Sequence, residues 1–191
     1  MEKIKQIISN SISLKEKVLQ DESIIKTTNG ISSMLVEAFR SDKKLLICGN
    51  GGSAADAQHL AAEFSGRFYY DRPPLYAEAL HVNTSYLTAV ANDYSYEDIY
   101  SRILRGAGKS GDVLWGISTS GNSGNIVKAL QVAREKGMKT IGFTGEGGGL
   151  MQPLCDYLIA IPSKDTPRIQ EVHILIGHII CELVEAEIFP R

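Results

Sequence analysis

The chain has 191 residues, of which 43% are hydrophobic and 22% are charged, and its formal net charge is -2 at pH 7. This length fits one domain with its own hydrophobic core. The balanced charge gives no basic footprint for nucleic acid, and no apolar run is long enough to span a membrane. The first twenty residues mix Lys and Glu with apolar positions, which excludes a signal-peptide core and predicts a cytoplasmic protein.

The N-terminal segment, residues 1–42, has apolar residues at helical spacing from Ile4 to Phe39. We expect this segment to be helical. The last apolar segment, 168–188, has apolar residues around much of a helix circumference, so it requires burial on several sides. Together these helices carry more apolar surface than five strands can cover, which predicts a homo-oligomer.

Between these segments, short apolar runs alternate with stretches of helical length. The runs are LLICG, AEALHV, DVLWGIS, KTIGFTG and YLIAIPS. Continuous apolar runs predict strands that are buried on both faces, as in a parallel sheet, and the stretches between them predict helices over 54–64, 85–105 and 126–136. We therefore expect one domain over 1–191, in which 43–191 form a doubly wound, three-layer αβα core with the C-terminal helix.

A glycine-rich turn, GNGGS, follows the first predicted strand. Its glycines let the backbone approach a ligand closely, and Ser53 is expected to cap the next helix. Gly49, Gly51 and Ala54 also fit the dinucleotide-binding pattern G-x-G-x-x-A. That alternative requires an acidic residue at the end of the second strand, whereas Asp71, at the right spacing, falls in a predicted loop.

A second loop, STSGNS at 118–123, follows the third predicted strand. Its four hydroxyl groups and backbone N–H groups at a helix N-terminus suit a dianionic phosphate, although a simple helix cap with a flexible turn is the alternative. In open α/β sheets, ligands bind beyond the carboxyl ends of strands where the strand order reverses. Both loops are therefore expected to face one ligand.

The helix after the glycine turn carries His59 and Glu63 at i and i+4, with Asp56 on the same face. Such side chains can hold one metal ion together. The alternative is a solvated hydrogen bond on the helix surface.

These motifs resemble those of the phosphoheptose isomerases in the sugar-isomerase (SIS) superfamily. The matching segments, which span nearly the whole chain, are 48–68, 89–102, 111–130 and 168–185, and the combination of HxxxE with QEVHxxxGH is the most specific part. The resemblance implies a five-stranded parallel sheet in the order 2-1-3-4-5 and a homotetramer with active sites between subunits. It also implies interconversion of sedoheptulose 7-phosphate and D-glycero-D-manno-heptose 7-phosphate, the first step of nucleotide-heptose synthesis for lipopolysaccharide or another surface glycan.

The resemblance also implies the residues of the site. Substrate contacts fall on Asn50, Gly51, Gly52, Glu63, Asn92, Asp93, Ser118, Thr119, Ser120, Ser123 and Gln170. Ligands for one zinc ion per subunit fall on His59, Glu63, Gln170 and His178. Eight residues of straight helix separate two Cα atoms by about 12 Å, so either Gln170 precedes the regular helix or one ligand comes from a neighbouring subunit.

Catalytic roles fall on Glu63 and His178 by the same resemblance. Turning a ketose into an aldose requires removal of a proton from C1, an enediol, and return of a proton at C2. We expect Glu63 to act as the base at carbon and His178 to move the proton between oxygens. Two alternatives are a non-catalytic SIS protein that binds a replication initiator and an isomerase of another phosphosugar; the complete ligand set favours an enzyme.

Other polar side chains receive simpler interpretations. Arg67, Arg72 and Lys164 are expected to be surface charges, with contact to a phosphate as the alternative. His81 and His173 are expected to be hydrogen-bonded structural or interface residues.

Overall fold

The structure, a computed structural model, describes all 191 residues and places a parallel β-sheet between two layers of helices. The helices are α1 (Glu2–Leu19), α2 (Glu22–Arg40), α3 (Gly52–Ser65), α4 (Thr84–Asp93), α5 (Ile99–Ala107), α6 (Gly124–Glu135) and α7 (Thr166–Ile188). The strands are β1 (Leu45–Gly49), β2 (Ala77–Ala79), β3 (Val113–Ser118), β4 (Lys139–Thr144) and β5 (Tyr157–Ala160). Short 3₁₀ helices span Tyr96–Asp98 and Gly149–Leu154.

The sheet has the order β2-β1-β3-β4-β5, and all neighbouring strands are parallel. The predicted fold class and strand order are therefore confirmed. Every residue of β1 and β3 is buried, as their continuous apolar runs predicted. Since the order reverses between these two strands, the loops that follow Gly49 and Ser118 open at the same edge of the sheet.

The strands β1 and β3 divide their side chains between two hydrophobic clusters. Leu45 and Ile47 of β1 pack into the cluster formed with α1, α2, α3 and α7. Leu46 and Cys48 point the other way, into the cluster formed with α4, α5 and α6. This alternation follows from the period of two along a strand. It fixes which helices lie on each face, and it places α3 beside α7.

Three local predictions were wrong. The helix expected over 85–105 is broken between α4 and α5, because Ser95 Oγ bonds Asp98 Oδ2 at 2.6 Å and this local bond competes with a continuous helix. The second strand ends at Ala79 instead of continuing to Val82. Ser53 lies inside α3, and the N-cap is Gly51, whose φ of 55° is readily adopted only by glycine.

Apolar side chains remain exposed on the N-terminal and C-terminal helices. On α1, Ile4, Ile8 and Ile12 are 62%, 55% and 52% exposed. An apolar groove between α1, α2 and α7 includes Leu175 and Ile179. None of the helices is both long enough and apolar enough to cross a membrane. These helices therefore expose apolar surface that the single chain does not cover, as the spacing of their apolar residues led us to expect.

Candidate active site

The Ser/Thr loop forms a cluster of hydroxyl groups at the N-terminus of α6. Ser118 Oγ lies 2.8 Å from Ser123 Oγ and 3.4 Å from Ser120 Oγ. Ser123 occupies the N-cap position, yet no side chain caps α6. The hydroxyls bond one another, and the first N–H groups of the helix have no side-chain cap. It has the donors that an anion at a helix N-terminus requires.

The glycine turn and the Ser/Thr loop are joined by side-chain amides. Asn50 and Asn125 exchange two hydrogen bonds of 2.9 Å, one in each direction. Tyr96 Oη donates a third bond, of 3.0 Å, to Asn50 Oδ1. Asn125 is buried and lies in the first turn of α6. The two loops therefore lie side by side at one edge of the sheet, and the space between them is called the crevice below.

Asn92 and Asp93 lie at the end of α4 and are exposed. Asn92 Nδ2 donates to Asp93 Oδ1 at 3.0 Å, and neither side chain bonds the two loops. The connection from this region to the glycine turn is Tyr96, one of several aromatic residues in 94–100 that no sequence motif distinguishes from its neighbours.

His59, Glu63 and His178 come together on the adjacent helices α3 and α7. His59 Nε2 lies 3.0 Å from Glu63 Oε1, and one donor atom from each of the three residues lies within 4.8 Å of the others. The two imidazole rings are 4.9 Å apart. The helices approach closely because Gly177 has no side chain: a Cβ there would lie 2.6 Å from Leu60 Cδ2. This contact brings His178 over the face of α3.

The electrostatics of the cluster suit a divalent metal ion. His178 Nε2 is buried without a hydrogen-bond partner. Burial lowers the pKa of His178, the neighbouring His59 lowers it further, and Glu63 acts in the opposite direction. The imidazole is therefore neutral near pH 7 and offers a lone pair, as a metal ligand must. Two imidazole nitrogens and a carboxylate oxygen form a donor set typical of zinc.

Asp56 lies one turn before His59 on the same face of α3. Its Oδ2 is buried and has no hydrogen-bond partner. Burial raises the pKa of Asp56, while His59 lowers it. A further unpaired oxygen therefore lies beside the cluster.

Gln170 does not join the other three predicted ligands within one chain. It lies inside α7, eight residues before His178, so the explanation that it precedes the regular helix is wrong. Its side-chain amide packs against Gly52 at the start of α3. If Gly52 had a Cβ atom, that atom would lie 2.6 Å from Gln170 Nε2. The helices α3 and α7 run in the same direction. Gln170 therefore lies near the N-terminal ends of both helices, whereas the cluster of His59, Glu63 and His178 lies about two turns further along them.

The predictions for the other charged residues had mixed outcomes. Arg67 and Lys164 are exposed, as expected. His173 is buried, and its Nε2 donates to Thr144 O at 3.0 Å, as expected for a structural residue. Arg72 was expected on the surface, but its side chain is 2% exposed and pairs with Glu185. The signal for this pair was Glu185 itself, a carboxylate on an otherwise apolar stripe of α7.

Comparison with known proteins places the chain among sugar-phosphate enzymes. A family model described as the SIS domain matches residues 7–145. The phosphoheptose isomerase of Aneurinibacillus thermoaerophilus is 54% identical over 97% of this chain and 94% of its own, and that of Clostridium acetobutylicum is 53% identical over 95% and 93%. The structure of the phosphoheptose isomerase from Neisseria gonorrhoeae superposes with a TM-score of 0.91 at 39% identity, covering 97% of this chain and 98% of the other.

Proposed function

The chain belongs to the phosphoheptose isomerases of the SIS-domain family, and on that premise we propose that it interconverts D-sedoheptulose 7-phosphate and D-glycero-D-manno-heptose 7-phosphate. The observation that carries the proposal is the cluster of His59, Glu63 and His178, in which a buried imidazole nitrogen has no partner within the chain. A pair of proton-transferring groups beside a metal centre is what an aldose–ketose isomerisation requires.

The phosphate of the substrate is assigned to the crevice between the two loops. Ser118, Thr119, Ser120 and Ser123 supply hydroxyl groups, and the helix N-terminus supplies N–H groups and a favourable dipole. The glycine turn of Asn50, Gly51 and Gly52 offers backbone that a ligand can approach closely. Asn92, Asp93 and Gln170 complete the proposed set of contacts.

Glu63 and His178 divide the proton transfers between carbon and oxygen. The Glu63 carboxylate takes a proton from C1 of the ketose, which gives an enediolate. His178, neutral at the start, accepts the proton that leaves the oxygen on C1 and donates that proton to the oxygen on C2. Glu63 then returns its proton to C2, which completes the aldose without net gain or loss of protons.

One zinc ion per subunit is the proposed cofactor, held by His59, Glu63 and His178, with Gln170 as the fourth ligand. When bound, such an ion supplies Lewis-acid stabilisation of negative charge on oxygen. Because Gln170 lies beside Gly52 in its own chain, we propose that the fourth ligand is contributed by a neighbouring subunit.

A homotetramer with active sites between subunits would satisfy this arrangement. The exposed apolar residues of α1 and the groove between α1, α2 and α7 supply surface for subunit contact. In this proposal the enzyme provides the first step of nucleotide-heptose synthesis, which serves lipopolysaccharide or another surface glycan.

The test is turnover of sedoheptulose 7-phosphate by the purified protein, before and after chelation, with metal content determined on the same sample. We expect heptose 7-phosphate to form, the activity to disappear on chelation, and zinc to restore it. Zinc-loaded protein that forms no heptose 7-phosphate would refute the proposed substrate. A panel of pentose and hexose phosphates would then identify another phosphosugar, if one is the substrate.

A further inference from the structure

A buried ion pair lies where the segment after α3 meets α7. Arg72 Nε donates to Glu185 Oε1 at 3.0 Å, and both side chains are only 2% exposed. Burying two charges costs desolvation energy that their attraction roughly offsets, so such a pair contributes little net stability. The groups that the pair holds in place are therefore the better guide to its role.

The Arg72 guanidinium binds carbonyl oxygens at the C-terminal end of α3. Its Nη2 donates to Glu63 O at 2.8 Å, and its Nη1 donates to Phe64 O at 2.6 Å and to Gly66 O at 3.1 Å. The last carbonyls of a helix have no partner within it, and a rigid fork of cationic donors suits them well. The backbone of Glu63 is thereby attached directly to Arg72.

Glu185 fixes the same segment from α7. Its carboxylate accepts the backbone N–H groups of Phe68 at 2.9 Å and Tyr69 at 2.7 Å, in addition to Arg72. Burial raises the pKa of Glu185, but the hydrogen bonds from Tyr69, Phe68 and Arg72 outweigh it and hold the pKa below its ordinary value. The ring of Phe68, which these bonds position, lies 5.7 Å from the ring of His178.

The position of Glu185 on α7 completes the connection. It lies seven residues after His178, two turns further along the same side of the helix. A single ion pair therefore links the backbone of Glu63 on α3 to the part of α7 that carries His178.

We propose that Arg72 and Glu185 are positioning residues, which hold Glu63 and His178 at the separation that metal binding and proton transfer require. The proposal rests on the function proposed above and adds to it two residues that touch neither substrate nor metal. Misplacing a reacting group by about 1 Å costs on the order of a hundredfold in rate, so a rigid link between the two helices has a direct effect on turnover.

The chain provides a matched control pair far from the site. Asp112 is buried, accepts Lys44 Nζ at 2.6 Å, and also accepts the backbone N–H groups of Lys44 and Lys109. This pair lies where β1 and β3 begin, at the opposite end of the sheet from the two ligand loops. Like Glu185, Asp112 joins a cationic side chain and two backbone N–H groups, although Lys44 is 17% exposed, and it has no connection to Glu63 or His178.

The experiment compares Arg72→Lys, Glu185→Gln and Asp112→Asn with the wild-type enzyme. The measurements are kcat and KM for sedoheptulose 7-phosphate, affinity for Zn²⁺ by chelator competition, and the midpoint of thermal unfolding. We expect Arg72→Lys and Glu185→Gln to lower kcat by about tenfold to a hundredfold, to leave KM within about twofold, and to weaken Zn²⁺ binding. Asp112→Asn should lower the unfolding midpoint by a similar amount and keep wild-type kcat and Zn²⁺ affinity.

Folded Arg72→Lys and Glu185→Gln enzymes with wild-type kcat and Zn²⁺ affinity would overturn the proposal, and so would an equal loss of kcat in Asp112→Asn. If Glu185→Gln does not fold, the kcat and Zn²⁺ affinity of Arg72→Lys alone test the proposal. This variant keeps the positive charge but loses the forked hydrogen bonds to the carbonyl oxygens. If the wild-type enzyme does not turn over this substrate, the proposed function fails separately. The Zn²⁺ affinities then decide, and unchanged affinity in both variants overturns the positioning role.

Discussion

Asn50 and Asn125, 75 residues apart in sequence, exchange two amide hydrogen bonds of 2.9 Å and so join the two ligand loops. Replacing Asn125 with Ala removes both bonds and leaves Asn50 with only its bond from Tyr96. Each hydrogen bond contributes about 1 kcal/mol, so we expect KM for the sugar phosphate to rise by up to about 30-fold, with a smaller change in kcat. Tyr96→Phe removes only the third bond to Asn50 and should give a smaller rise. Unchanged KM in Asn125→Ala would show that the amide pair does not position the loops for the substrate.

Glu63→Gln tests the proposed base. The amide keeps the size of the side chain but cannot accept the proton from carbon, so turnover should fall by about 10²-fold to 10⁴-fold. Binding of the sugar phosphate, measured by calorimetry, should remain largely intact. Glu135→Gln is the control, because Glu135 is an exposed carboxylate on α6 that pairs only with Arg105. Normal turnover by Glu63→Gln would refute the assignment.

Mixing two inactive variants tests whether Gln170 acts across a subunit boundary. Gln170→Ala and His59→Ala should each be inactive alone. If the two residues come from different subunits, exchange of subunits in an equal mixture leaves about a quarter of the sites with both residues intact, and activity should recover to about that fraction. Recovery should be absent if both residues serve one site from the same chain, because every site then carries one substitution.

His173 predicts a pH dependence of stability. Burial lowers the pKa of His173 to about 4, and the hydrogen bond to Thr144 acts in the opposite direction. The unfolded chain therefore binds more protons than the folded chain between about pH 4 and pH 6.5, and the free energy of unfolding falls as pH falls through this window. The full loss attributable to His173 is about 3 kcal/mol, at roughly 1.4 kcal/mol per pH unit.

The measurement is denaturant unfolding of wild type and His173→Gln from pH 7 to pH 4. His81 and His178 also have lowered pKa values and contribute in both proteins, so the difference between the two slopes isolates His173. Parallel slopes would mean that His173 is not the group that resists protonation.

The apolar face of α1 predicts assembly. Ile8 and Ile12 are more than half exposed, and they lie one turn apart on the helix. Replacing both with Glu should convert the proposed oligomer to smaller species in sedimentation, whereas Lys5→Glu, which changes an already polar position, should not. A wild-type protein that sediments as a monomer would refute the proposed oligomer.

Local sequence patterns were sufficient to predict the strands, most of the helices and the contacts within one helix. The apolar run from Leu45 to Cys48 marks a buried strand, and His59 and Glu63 meet because four residues make one helical turn. The break between α4 and α5 also has a local cause, the bond from Ser95 to Asp98, but helical spacing of apolar residues continues through it. Periodicity alone therefore predicted a helix that is too long.

Long-range pairing was beyond the same reasoning. Arginine is a residue type that usually lies on the surface, and the partner of Arg72, Glu185, is 113 residues away in sequence on α7. A pattern within one segment carries no information about which distant charge will meet it in the core. The separation of Gln170 from His178 was different: the rise per residue in a helix predicted it, and only the location of Gln170 beside Gly52 needed the folded chain.

The close approach of Leu60 to Gly177 has a consequence for variation at this locus. A methyl group at position 177 would require the buried side chain of Leu60 to shift, or else α7 to move away from α3 together with the adjacent imidazole of His178. In a saturation library of position 177 scored by turnover of the purified variants, Gly177 would therefore behave like a residue of the reaction centre, although it has no side chain with which to do chemistry. In this chain the distance between the two helices limits the size of residue 177, so a second substitution that shortens Leu60 is expected to let a larger residue be accommodated.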